Sequence, residues 1–112
     1  MTLTMRTKLK DLILNDLEAR RIRRHLQGLN RRLAGWPDPV VTLQLAPRSA
    51  PRGVEARLRV RLGHLGGHLV AREAAGTADH AVRQAVEQVE RQLARERAQR
   101  QGRELARAVQ AR

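Results

Sequence analysis

The 112-residue chain contains no cysteine, no phenylalanine and no tyrosine, and a single tryptophan, Trp36. Without cysteine there is no disulfide framework, no thiolate nucleophile and no cysteine-based zinc site. The near absence of aromatics removes base stacking, which single-strand binders achieve with exposed Phe, Tyr or Trp. Trp36 itself, beside Pro37, reads as core filling at a helix end. Serine is confined to Ser49 and lysine to Lys8 and Lys10. No apolar run approaches the roughly 18–20 residues that a membrane helix needs. Met1 to Lys10 carries charges with no apolar stretch behind them, so no signal peptide is expected, and the expected location is the cytoplasm.

Arginine is what remains in abundance. Lys plus Arg number 23 against 11 Asp plus Glu, a formal net charge of +12. Such a chain attracts polyanions, which leaves nucleic acid and anionic membrane as candidate partners. A genome-wide preference for arginine over lysine is the bland alternative, and the placement of the charges separates the two. With 41% apolar and 30% charged residues, the composition is that of one globular domain. Its core must be built from Leu, Val, Ile and Ala.

Residues 1–14 alternate briefly, Leu3, Met5, Thr7 and Leu9 against Thr4, Arg6, Lys8 and Lys10, which predicts an edge strand. Asn15 to Leu33 reads as a helix. Asn15 is its cap, Glu18 completes a capping-box pattern, and Asp16 and Glu18 suit the positive end of the dipole. Leu17, Ile22, Leu26, Leu29 and Leu33 recur on one face, and Pro37 and Pro39 forbid continuation. Val40 to Ala46 alternates as a strand, followed by a polar, Pro-rich connection over 47–53. Val54 to Leu62 alternates without exception, so one strand face is buried and the other wet. A Gly-rich turn over 63–67 precedes a returning strand, His68 to Ala74. Thr77 caps a second helix whose stripe is Ala78, Ala81, Val82, Ala85, Val86, Val89 and Leu93. The pattern fades near Arg100, with Gln101-Gly102 as a break. The expected division is therefore a domain over 1–100 and a basic tail or frayed helix end over 101–112.

The order β-α-β-β-β-α points to an α+β fold. We expect a two-layer sandwich, a four-stranded sheet with two helices on one face. Its α-β-β-β-α portion has the element order of double-stranded RNA-binding domains.

The charge is unevenly placed. Residues 16–34 carry six arginines against Asp16 and Glu18, while 77–100 carry five against four acids. Arg20, Arg21, Arg23, Arg24, Arg31 and Arg32 lie off the apolar stripe of the first helix. No acid follows Glu18 there, which favours a polyanionic partner over a merely solvated face. Arg57, Arg59 and Arg61 form a row on the wet face of their strand, roughly 6.6–7 Å apart. Their alternatives are edge protection or pairing with Glu55 and Glu73. On the second helix Glu87 is placed to pair with Arg91, and Arg91 and Arg95 are further candidate phosphate contacts.

No catalytic constellation emerges. His25, His64, His68 and His80 have no third ligand beside them, so neither metal nor cofactor is expected. Ser49 lacks nucleophile context, and the Gly-rich stretch lacks the Lys-Ser/Thr of a P-loop. The protein is expected not to be an enzyme. Arginine then offers bidentate contacts to the phosphates of a structured nucleic acid.

The segment Leu69-Val-Ala-Arg-Glu-Ala-Ala-Gly-Thr-Ala-Asp-His-Ala-Val-Arg-Gln-Ala-Val-Glu-Gln-Val-Glu-Arg-Gln-Leu93 resembles the bacterial ribosome hibernation promoting factors, also called ribosome-associated inhibitors or sigma-54 modulation proteins. Gly66-Gly67 and Val89-Glu-Arg-Gln-Leu93 follow the family pattern, as do Val40-Val-Thr-Leu-Gln-Leu45 and Val54-Glu-Ala-Arg-Leu-Arg-Val60. Thr77, Asp79 and Arg83 depart from it, standing where the family tends to have Asp, Tyr and Asp. The resemblance spans roughly residues 3–97. It implies a protein that occupies the mRNA/tRNA channel of the small ribosomal subunit, contacts ribosomal RNA and silences idle ribosomes. It carries Arg20, Arg23, Arg24, Arg31, Arg91 and Arg95 over as basic contacts. The chain reads as a short form, without the dimerisation domain of longer members, and as a monomer in isolation. A non-ribosomal module for structured RNA or DNA is the alternative, and an adaptor pairing through its sheet edge is a third reading.

Overall fold

The computed structural model describes residues 4–49, 52–63 and 67–110. The elements are β1 (Thr4–Leu9), α1 (Asp16–Arg32), β2 (Val40–Ser49), β3 (Arg52–Arg61), β4 (His68–Ala75) and α2 (Ala78–Gln110). The four strands form one mixed sheet in the order β1-β2-β3-β4. β1 runs parallel to β2, as its crossover through α1 requires, and the other two pairings are antiparallel. The α+β expectation holds.

The alternation in β3 decides which face is buried. Val54, Ala56, Leu58 and Val60 join Val41, Leu43 and Leu45 of β2 and Leu69 and Ala71 of β4 beneath the helices. Ile22, Leu26, Leu29 and Leu33 close the core from α1, and Ala78, Ala81, Val82, Ala85, Val86, Val89 and Leu93 close it from α2. The Ala and Val side chains on α2 let its backbone lie close to β3 and β4. Trp36 is buried where α1 ends, its amide donating to the Leu33 carbonyl.

Local chemistry starts both helices as expected. The Asn15 side chain accepts from the Glu18 amide at 2.8 Å, and Thr77 Oγ1 accepts from the His80 amide at 3.2 Å. Replacing Asn15 with alanine is expected to cost about 1 kcal/mol, read as a lower urea midpoint at unchanged slope.

Several expectations are corrected. Leu17 does not join the buried α1 stripe and is 56% exposed, so the buried stripe begins at Ile22. The Pro-rich connection is largely strand. Pro47 pairs with Val54, Arg48 with Gly53 and Ser49 with Arg52. Pro47 is tolerated because β1 stops opposite Leu45, so beyond that point β2 has a neighbour on one side only. Gln101-Gly102 does not break α2, which continues to Gln110. One glycine costs about 1 kcal/mol in a helix, less than the strong helix formers around it supply. His64 and Gly66 lie outside the described residues, as does Leu3.

The β3–β4 connection approaches the α1–β2 connection at one point. Gly63 has φ +82, and a Cβ there would stand 2.8 Å from the Pro37 carbonyl oxygen. Gly63→Ala is therefore expected to destabilise by about 1–3 kcal/mol, combining left-handed strain with the close contact, measurable by thermal melting.

Candidate nucleic-acid interface

At 100° per residue, Arg20, Arg24 and Arg31 fall within about 40° of one another, opposite the buried stripe of α1. All three are exposed, as is Arg23 beside them. None of the four makes an ion pair with a described residue.

Arg21 and Arg32 behave differently. They line the seam between α1 and α2, where the structure supplies the acids that α1 lacks. Arg21 lies 3.6 Å from Asp79, and Arg32 lies 3.3 Å from Glu90. His25 Nε2 donates to Asp79 Oδ1 at 2.6 Å. Arg97 of α2 donates to the Arg32 carbonyl at 3.1 Å, satisfying a C-terminal group of α1. Arg100 stands over Trp36, 5.0 Å from the ring centroid. These partly exposed pairs each contribute about 0.2–1 kcal/mol and mainly fix how the helices sit together. The expectation of six unpartnered arginines is thus corrected to four, because partners 58 residues away in sequence, as for Arg21 and Asp79, leave no local pattern. Asp79, one of the positions that departs from the family pattern, has a structural use here as the anchor of Arg21 and His25.

The expected Glu87–Arg91 pair does not form. Glu87 accepts from Arg83 at 3.3 Å instead. Arg91 and Arg95 are exposed and make no ion pair with a described residue. A groove of mixed charge between the helices, lined by Arg24, His25, Gly28, Arg83, Glu87 and Glu90, runs beside the α1 stripe.

The opposite side of the sandwich is the open sheet face. Arg57, Arg59 and Arg61 lie on it, but β3 is an inner strand, so edge protection does not account for them. Nor does Glu55, whose carboxylate is held by Arg72 of β4 at 3.2 Å. The register brings in two residues absent from the sequence-derived set. Arg6 stands in line with Thr42 and Arg59, and Lys8 with Gln44 and Arg57. The alternation of β1 already placed Arg6 and Lys8 on one side, but only the sheet order puts that side next to the β3 arginines.

Among the described residues no group of three or more His, Asp or Glu is gathered for a metal ion. No helix in them is long and apolar enough to cross a membrane.

The fold is shared with the N-terminal domain of Thermus thermophilus Protein Y. The superposition has a TM-score of 0.65 and covers 84% of this chain and 98% of that one, at 19% sequence identity. The Protein Y domain thus matches the present chain over nearly its own full length. No protein-family model matches the sequence, and no curated protein matches it.

Proposed function

We propose that this protein is a cytoplasmic ribosome-binding factor that silences idle ribosomes by occupying the mRNA/tRNA channel of the small subunit. Its basic surfaces contact ribosomal RNA there, and it acts by binding, without catalysis. The observation that carries this reading is the stripe of Arg20, Arg24 and Arg31, with Arg23 beside it. It holds four cations with no described acidic partner, on a fold shared with the Protein Y domain. Protein Y belongs to the ribosome hibernation factors that the sequence itself resembles. Structured RNA is the fitting polyanion, because a surface with no exposed aromatic binds through backbone and shape.

The test is a sucrose-gradient profile of ribosomes with and without the protein, beside an in vitro translation assay. Co-migration with the small subunit and inhibited translation are expected. Binding should weaken with salt at a log–log slope of about −0.7 to −0.9 per phosphate neutralised. Equal affinity for ribosomal subunits and for any free duplex would instead favour a general structured-RNA or DNA module.

A further inference from the structure

The open sheet face carries a cluster that the stripe on α1 does not explain. Arg6, Lys8, Arg57 and Arg59 surround a shallow basin of about 230 Å³ floored by Thr42 and Gln44. The register makes it a two-by-two array. Within each strand the cations are roughly 6.6–7 Å apart, and the β1 and β3 rows are about 9.5 Å apart, two strand spacings. None of the four has an ion-pair partner among the described residues, and the nearest acid of β3, Glu55, is occupied by Arg72. Four like charges around one basin repel, and among the described residues the one acid of β3 on this face, Glu55, is engaged by Arg72 and not by any of the four. Two neutral hydrogen-bonding side chains between the rows complete a surface suited to phosphodiester oxygens.

We propose that this basin is a second backbone-phosphate site, and that the protein holds two nucleic-acid segments at once, one on each side of the sandwich. The sheet and helix layers lie between the basin and the α1 stripe, and the two sets of side chains point in opposite directions. That separation exceeds the Debye length of about 8 Å at physiological salt, so neither face supplements the field of the other. One duplex seated on the helices cannot also lie against the sheet. The inference rests on the proposed function only in taking the α1 stripe as the first nucleic-acid contact.

The experiment uses the full chain and two unlinked RNA duplexes of about 20 base pairs, one biotinylated and one fluorescent, the length giving more than one turn of phosphates. The protein should retain the fluorescent duplex on beads bearing the other, with a signal that rises and then falls as protein is added in excess. Replacing Arg6, Lys8, Arg57 and Arg59 with threonine, which suits strands, should lower bridging at least tenfold. Binding of a single duplex should persist, with its shape confirmed by circular dichroism. The Arg57→Lys, Arg59→Lys variant should still bridge, which separates loss of charge from loss of fold. Arg20→Ala, Arg24→Ala, Arg31→Ala should also lose bridging while retaining single-duplex binding through the sheet. Undiminished bridging by either the threonine or the alanine variant would overturn the two-sided proposal. Failure of the wild type to sediment with ribosomes would sink the hibernation reading without touching this result.

Discussion

Replacing Arg20, Arg24 and Arg31 together with alanine is expected to weaken binding to the small ribosomal subunit roughly 100- to 1,000-fold at physiological salt. A hydrogen bond to a charged group contributes about 1.5 kcal/mol net or more, and three such contacts, less than fully additive, give that range. The salt dependence should change with it. The log–log slope should fall by about 2–3 as three phosphates lose their partners. Folding should be preserved, because all three side chains are exposed and alanine is the better helix former. The measurement is fluorescence anisotropy or co-sedimentation across a salt series, with a thermal melt as control. An unchanged slope would remove α1 from the interface. Arg21→Ala and Arg32→Ala should behave differently, since both side chains are already held by Asp79 and Glu90. Their main effect belongs to the helix seam.

The largest stability effect is expected at Leu58. It is fully buried on the inner strand β3, opposite Leu43 of β2 and Ala71 of β4. Leu58→Ala removes packed methyl groups and leaves a cavity that an inner strand held between β2 and β4 cannot collapse, a loss of about 3–4 kcal/mol. Domain stabilities are about 5–15 kcal/mol in total. The melting midpoint should therefore fall by roughly 10–25 °C, and the urea midpoint should fall at unchanged slope. Leu17→Ala is the internal contrast. It changes the same residue type, but Leu17 is more than half exposed, so the change should stay within about 0.5 kcal/mol. Similar losses at both positions would contradict the core assignment.

Leu17 also shows how far periodicity reaches. It has the right spacing for the apolar stripe of α1, yet spacing alone does not say where the sheet beneath a helix begins. Ile22, Leu26, Leu29 and Leu33 are buried in the core shared with the strands and α2, whereas Leu17 lies outside it. On α2 every residue of the expected stripe is buried, since that helix lies along β3 and β4 from its first turn. Pro47 is the opposite case, a proline inside a strand. A proline reads as a loop signal, but its missing amide costs nothing where no strand lies on that side.

The candidate interface was legible in type and only partly in membership. Composition alone pointed to a phosphate-binding, non-stacking surface, and helical spacing picked out Arg20, Arg24 and Arg31. Arg23 has the same standing in the structure, exposed and without a described acidic partner. Arg21 and Arg32 looked equivalent to them, because an ion pair between helices joins residues far apart in the chain. Arg6 and Lys8 carry no local mark of the site for the same reason, as their company on the sheet depends on which strand stands beside which.

By itself, then, the sequence determined the element order, the helix caps, the buried face of β3, the excess of arginine and the absence of aromatics for stacking. Those properties are local or compositional, set by neighbours within one helical turn or one strand repeat. Tertiary structure alone decided which arginines pair with Asp79 and Glu90 and which have no acidic partner among the described residues. It alone decided that β3 is an inner strand, and that cations from β1 and β3 share one basin. Those outcomes depend on packing between elements, where charge pairing and exposure are settled by distance in space, and distance along the chain carries no record of it.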